Sequence, residues 1–268
     1  MDKKEISDWI RKWFKNHPDC KELNSMYENF LPFPSEDVGK LTMLIWKIDP
    51  LKYMSFVADG MFYKCEDLTS VVIPDNIKSI GEEAFYGCIN LTNIAIPDSV
   101  TCIGDSAFSL CGRLNSVTIG DSVINIGPAA FEFCESLTDI TIPNRVIDIG
   151  SYAFRGCQNL TSITIPDSVE WIGMSVFRNC KELTSVSIGN GITNISNDAF
   201  SCCGRLTNAT LSDSITSIGV DAFSYCNSLT SITYNGTMDK WNKIKKDLYW
   251  KRDSGITQIN CSDGIINL

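Results

Sequence analysis

Histidine is nearly missing from this chain: His17 is the only one among 268 residues, and it sits beside Pro18 between two helical patterns. The repeats described below therefore hold no Ser/His/Asp or Cys/His arrangement for nucleophilic catalysis, and His17 reads as a polar loop residue. No CxxC pair occurs among the twelve cysteines, so a zinc site of the Cys/His type lacks a ligand set. Neither GxxxxGK[ST] nor a strand-linked GxGxxG is present to cradle a phosphate. Carboxylates are plentiful, but nothing singles out an acid/base pair. No catalytic residue, metal or cofactor is expected.

Long apolar runs are also missing. No stretch reaches 18 apolar residues, so no membrane-spanning helix is expected. Residues Met1 to Glu5 lead into a helical pattern with charges throughout, unlike a signal peptide, and no cell-wall anchor motif or linker is seen. The expected location is cytoplasmic; a secreted or cell-surface protein is the alternative. Positive charge is scarce too. Residues 68–235 carry seven Lys/Arg against sixteen Asp/Glu, a balance of −9 that equals the excess of the whole chain. Such a body argues against direct nucleic-acid binding and favours a basic protein partner.

What the chain does have is a period. Phenylalanine stands at 62, 85, 108, 131, 154, 177, 200 and 223, and cysteine follows three residues after each. A step of 23 residues marks a solenoid, in which each coil buries its apolar side against its neighbours. One unit reads LTSITIPDSVEWIGMSVFRNC from Leu160 to Cys180. Leu160, Ile163 and Ile165, with Ser162 and Thr164 flanking Ile163, predict a short strand with one buried face. Pro166-Asp167 ends it. Val169 and Ile172 form a second apolar pair, and the spacing of Val176, Phe177 and Cys180 predicts one helical turn to close the coil. Glycine follows the second isoleucine at 81, 104, 127, 150, 173 and 219, with Ser196 the exception, which predicts a tight or left-handed bend.

The pattern LxxIxIPxxVxxIGxxAFxxC resembles the BspA-type leucine-rich repeat, closely over residues 68–235 and partly over 51–67. The resemblance implies a right-handed α/β leucine-rich repeat solenoid of about eight coils with a parallel β-ladder. It also implies protein or cell-surface binding, often by exported adhesins. Residues 232–268, with Trp241, Ile244, Trp250 and Cys261-Ser-Asp-Gly264, resemble the closing segment of such proteins. The division expected is 1–50, a helical N-terminal cap; 51–235, the solenoid; and 236–268, the C-terminal cap. The N-terminal part carries helical spacing in Ile6, Trp9, Ile10, Trp13 and Phe14, again in Leu23, Met26, Tyr27, Phe30 and Leu31, and a third time after Ser35. Its first helix, with Lys3, Lys4, Arg11, Lys12 and Lys15 beside two tryptophans, has a second reading as a helix lying on a membrane or a partner.

The ladder cysteines point in parallel, a poor geometry for bridging, so free buried thiols are expected. Aspartate recurs at 75, 98, 121, 167 and 213 as a turn cap, and one carboxylate per rung is poor provision for calcium. The outward strand positions are small, polar and nearly uncharged, lacking the Trp, Tyr and Arg that anchor interfaces. The residues that break the period gather elsewhere. Ile124, Ile147 and Trp171 stand where other rungs carry polar groups, with Tyr152, Arg155, Met174 and Arg178 nearby. These seven are the candidate protein-binding residues; drift on a solvated side is the competing account. Three functions stay open: an intracellular binding scaffold, an adhesin, and an inhibitor of a basic target.

Overall fold

The computed structural model describes residues 55–268; the expected helical N-terminal cap lies outside the described residues. From Ser55 onward the chain winds into stacked coils held in register by the repeat length. Asn93 lies opposite Ser116, Ile94 opposite Val117 and Ser162 opposite Ser185, each pair one repeat apart and parallel. The longer strands, such as Asn93–Ile96, Ser162–Ile165 and Ser185–Ile188, alternate outward and buried residues as the sequence pattern requires. Asp139 to Ile142 do not pair as a strand, so this ladder divides into a two-stranded and a six-stranded sheet. A second ladder uses two-residue strands. It runs from Phe56–Val57 to Trp171–Ile172 in six strands and continues as three from Asn194–Ile195 to Lys245–Lys246.

Between these ladders runs a core of columns. The eight phenylalanines are fully buried. Their rings stack face to face at centroid separations of 4.9–5.5 Å, with planes 3–15° apart. Stacking this parallel follows from identical backbone positions repeated along one axis.

The third side of each coil departs from the expectation. No helical turn closes it. A run of tight turns does, and two residues per coil sit in left-handed backbone, such as Tyr152 (φ 64°) with Gly156 (φ 74°) and Ser175 (φ 55°) with Asn179 (φ 64°). The hydrogen bonds give the reason. Alternate amides reach the next coil, as in Tyr152 N–H to Met174 O at 2.9 Å, Phe154 to Val176 at 2.9 Å and Gly156 to Arg178 at 2.8 Å. A helical turn would spend those amides within its own coil and leave this side of the stack unbonded. Among the described residues the one α-helix is Met238–Lys243, in the closing segment.

The recurrent glycine also has a different cause from the one expected. Gly150 and Gly173 are not left-handed; the left-handed residue comes two positions later. These glycines allow close approach. A Cβ on Gly150 would lie 2.2 Å from Pro128 N, and one on Gly173 2.2 Å from Ser151 N. Coils therefore touch backbone to backbone along this line. Ser196, the exception, turns its hydroxyl to donate to Ile172 O at 2.6 Å.

The stack ends on aromatic edges. Trp250 meets the last ring, Phe223, at 88° and 6.3 Å, and Trp241 packs edge-on against both Tyr234 and Trp250. Thr237 caps the Met238–Lys243 helix by accepting from Lys240 N–H. The Lys246 ammonium donates to Trp241 O and Ile244 O beyond it, and burial lowers its pKa. Strands Gln258–Cys261 and Gly264–Asn267 then close the sheet as an antiparallel pair.

Candidate protein-binding face

Each coil offers an exposed strand face and an exposed turn face. On the strand face the outward side chains are small and polar, and Val72 is its one strongly exposed large apolar group before the closing strands. The period-breaking residues fall along the short ladder and the turns.

Ile147 N–H donates to Ile124 O at 2.8 Å, and Trp171 N–H reaches Ile147 O at 3.3 Å, so these three residues occupy successive coils. Ile147 and Trp171 are 38% and 46% exposed, while Ile124 is half-buried. On the turns, Tyr152 donates its hydroxyl to Met174 Sδ at 3.2 Å, and Met174 is 45% exposed. The Arg155 guanidinium lies over the rings of both Tyr152, at 5.6 Å, and Phe133, at 5.3 Å, and pairs with Glu132 at 3.2 Å. Arg178 pairs forward with Asp198 at 3.3 Å. The structure thus joins Tyr152, Arg155 and Met174 in one cluster and Ile124, Ile147 and Trp171 in another. The two arginines pair in opposite directions along the stack and share no partner.

Burial pushes the Glu132 pKa up, against the pull of Arg155, so this acid is the desolvated member of its pair. Sequence reasoning passed over Phe133 and Glu132. The signal was present: Phe133 stands in the column that holds Gly87 and Gly156. A second cluster of the same kind was missed as well. Arg252 lies over Tyr225 at 5.8 Å and Tyr249 at 5.5 Å, and pairs with Asp221 at 2.9 Å. Its signal is the Tyr-x-x-Arg spacing shared by Tyr152/Arg155 and Tyr249/Arg252.

The remaining polar groups are largely committed to the stack. Asp98 accepts from Asp121 N–H at 2.8 Å and Asp167 from Asn190 N–H at 2.7 Å, so each caps the turn of the following coil. Among the described residues no group of three or more His, Cys, Asp or Glu side chains could hold a metal ion. The thiols do more than fill space. Each ladder cysteine from Cys88 to Cys226 donates its S–H to the carbonyl of the phenylalanine 26 residues earlier, at 3.1–3.3 Å. No helix among the described residues is long and apolar enough to cross a membrane.

A parallel ladder, a 23-residue register and a leucine-led strand define a leucine-rich repeat solenoid. The BspA-type leucine-rich repeat region matches residues 55–170 and 147–268, and the chain belongs to that family. No curated protein sequence matches it. Among solved structures, a leucine-rich repeat protein of T. pallidum is 33% identical and aligns with 60% of this chain and 78% of its own, at a TM-score of 0.57. One from Bacteroides ovatus is 28% identical over 72% of this chain, at a TM-score of 0.54. The present chain covers 63% of the B. ovatus protein's length. Repeats of this family point to a protein-interaction scaffold.

Proposed function

We infer that the protein is a non-catalytic scaffold that binds another protein through the side of its coils, with Ile124, Ile147, Tyr152, Arg155, Trp171, Met174 and Arg178 in the contact. The observation that carries this reading is the exposure of Trp171 and Met174 in a stretch that also holds the ion-paired Arg155 and Arg178, on a fold whose outward strand positions are small and polar. Isolated exposed apolar residues are ordinary; tryptophan, methionine and arginine on neighbouring coils have the composition of an interface centre. Free thiols throughout the core suit a reducing compartment, and we place the protein's work in the cytoplasm.

The test is affinity capture from native lysate with the wild-type chain and with Trp171→Ala/Arg178→Ala, read by quantitative mass spectrometry. The double variant should keep the wild-type melting temperature and lose the partner that the wild type enriches. Capture that survives the double substitution removes this face from the account.

A further inference from the structure

We propose that the turn face, along its whole length, is a docking track for an extended basic polypeptide; this rests on the scaffold reading above and names the partner's chemistry. Three observations converge. The first is backbone conformation. One left-handed site recurs in every coil, and Gly87, Gly156 and Asn179 are the residue types that adopt it easily. The same site holds Leu110 (φ 61°), Phe133 (φ 57°) and Tyr225 (φ 60°). Leu110 and Tyr225 are 39% and 43% exposed, so the strained backbone is not offset by burial in the core. Contact with a ligand would offset it.

The second observation is recurrence. Arg155 over Phe133 and Tyr152 is matched by Arg252 over Tyr225 and Tyr249. Phe133 and Tyr225 stand four repeats apart, which separates the two clusters by about 20 Å at strand spacing. Leu248, 83% exposed, directly precedes Tyr249 of the second cluster in the chain. The track runs the length of the stack, about 40 Å, which suits some 12 residues of extended chain.

The third is charge. Arg155, Arg178 and Arg252 are each neutralised by an acid of the same face. Glu82, Glu83 and Asp105, on the same turns nearer the first coils, form no ion pair among the described residues. Lys64, at the first of these turns, lies over Tyr63 and likewise forms no ion pair among the described residues. Three acids against one cation leave the charge negative, so the complementary occupant is cationic.

The probe is a fluorescein-labelled twelve-residue peptide alternating lysine and leucine, with a glutamate counterpart, followed by fluorescence anisotropy. The lysine peptide should bind and the glutamate peptide should not. Leu110→Gly/Tyr225→Gly should weaken binding at least tenfold while leaving the melting temperature equal or higher, because glycine relieves the left-handed backbone. Leu248→Ser/Tyr249→Ser, in the closing segment, should weaken it as well. Unchanged binding in both variants, equal binding of both peptides, or a lowered melting temperature in the glycine variant overturns the proposal. Should the lysine peptide fail while capture dependent on Trp171 and Arg178 persists, the partner chemistry is wrong and the scaffold reading stands.

Discussion

Raising the pH should unfold this protein earlier than its surface charge would suggest, because its core is lined with thiols that cannot ionise in place. Burial, the leading cause for every one of them, raises the pKa of Cys88, Cys111, Cys134, Cys157, Cys180, Cys203 and Cys226. For Cys111 and Cys226 it reaches about 12. In the unfolded chain the same groups titrate near ~8.5. Above that pH the unfolded state has released protons that the folded state still holds, so stability falls as pH rises. The thiols' contribution is fully present below about pH 8.5 and is lost progressively toward the folded pKa values. Each thiol costs about 1.4 kcal/mol per pH unit in that window, and the seven together about 10 kcal/mol. Total stability for a domain is about 5–15 kcal/mol, which places the alkaline midpoint near pH ~9.5.

The measurement is a pH titration under reducing conditions, following circular dichroism together with thiolate ultraviolet absorbance. Both signals should move in one transition. Chemical denaturation at several pH values gives the slope of stability with pH, hence the protons released on unfolding. Cys157→Ala should lower that number by about one. A fold that persists at pH ~11, or thiolate absorbance that rises while the dichroism is unchanged, would refute the reasoning.

Other substitutions test the stack itself. Phe131→Ala removes a fully buried ring stacked at 5.2 Å on Phe108 and 5.4 Å on Phe154; the coils on either side are held by ladders and cannot collapse, so the expected loss is about 3–5 kcal/mol in guanidinium denaturation. An unchanged midpoint would contradict the column. Gly150→Ala places a Cβ 2.2 Å from Pro128 N and should cost about 1–3 kcal/mol or more, whereas Gly112→Ala, with nothing within 4 Å, should be nearly neutral in thermal melts. Equal effects at the two glycines would show that backbone contact between coils is not what excludes a side chain at Gly150.

The columns were legible because the period multiplies a weak signal. A single Leu-x-x-Ile says little, but eight leucines in phase, with phenylalanine and cysteine keeping step, fix which residues share a line through the core. The helical turn was misread for a related reason. Val176, Phe177 and Cys180 have helical spacing because three inward positions on a tight arc recur at the same intervals whether amides bond within the coil or between coils. Spacing reports which side chains point inward, not where the amides go. The glycine line was misread because two demands, positive φ and close approach, select the same residue; only the position of the neighbouring coil separates them. Sequence likewise gave no hint that the thiols bond the phenylalanine carbonyls of the preceding coil, since the donors and acceptors lie 26 residues apart.

The proposed binding face was half legible, and the physics of the repeat explains which half. Stacking demands identity at buried positions, so variation there is costly and rare; at outward positions it costs little and carries little information. Trp171 stood out because tryptophan replaced Ser, Asn or Asp in its column. Phe133, Leu110 and Tyr225 did not, because their column looked freely variable. Its constraint is conformational: a left-handed site that suits glycine or asparagine and penalises every larger side chain. An apolar residue exposed there is the less expected event, since it carries backbone strain that drift alone does not reward. An exposed apolar side chain on a strained turn therefore says more about binding than one on the flat strand face, where substitution is cheap in either direction.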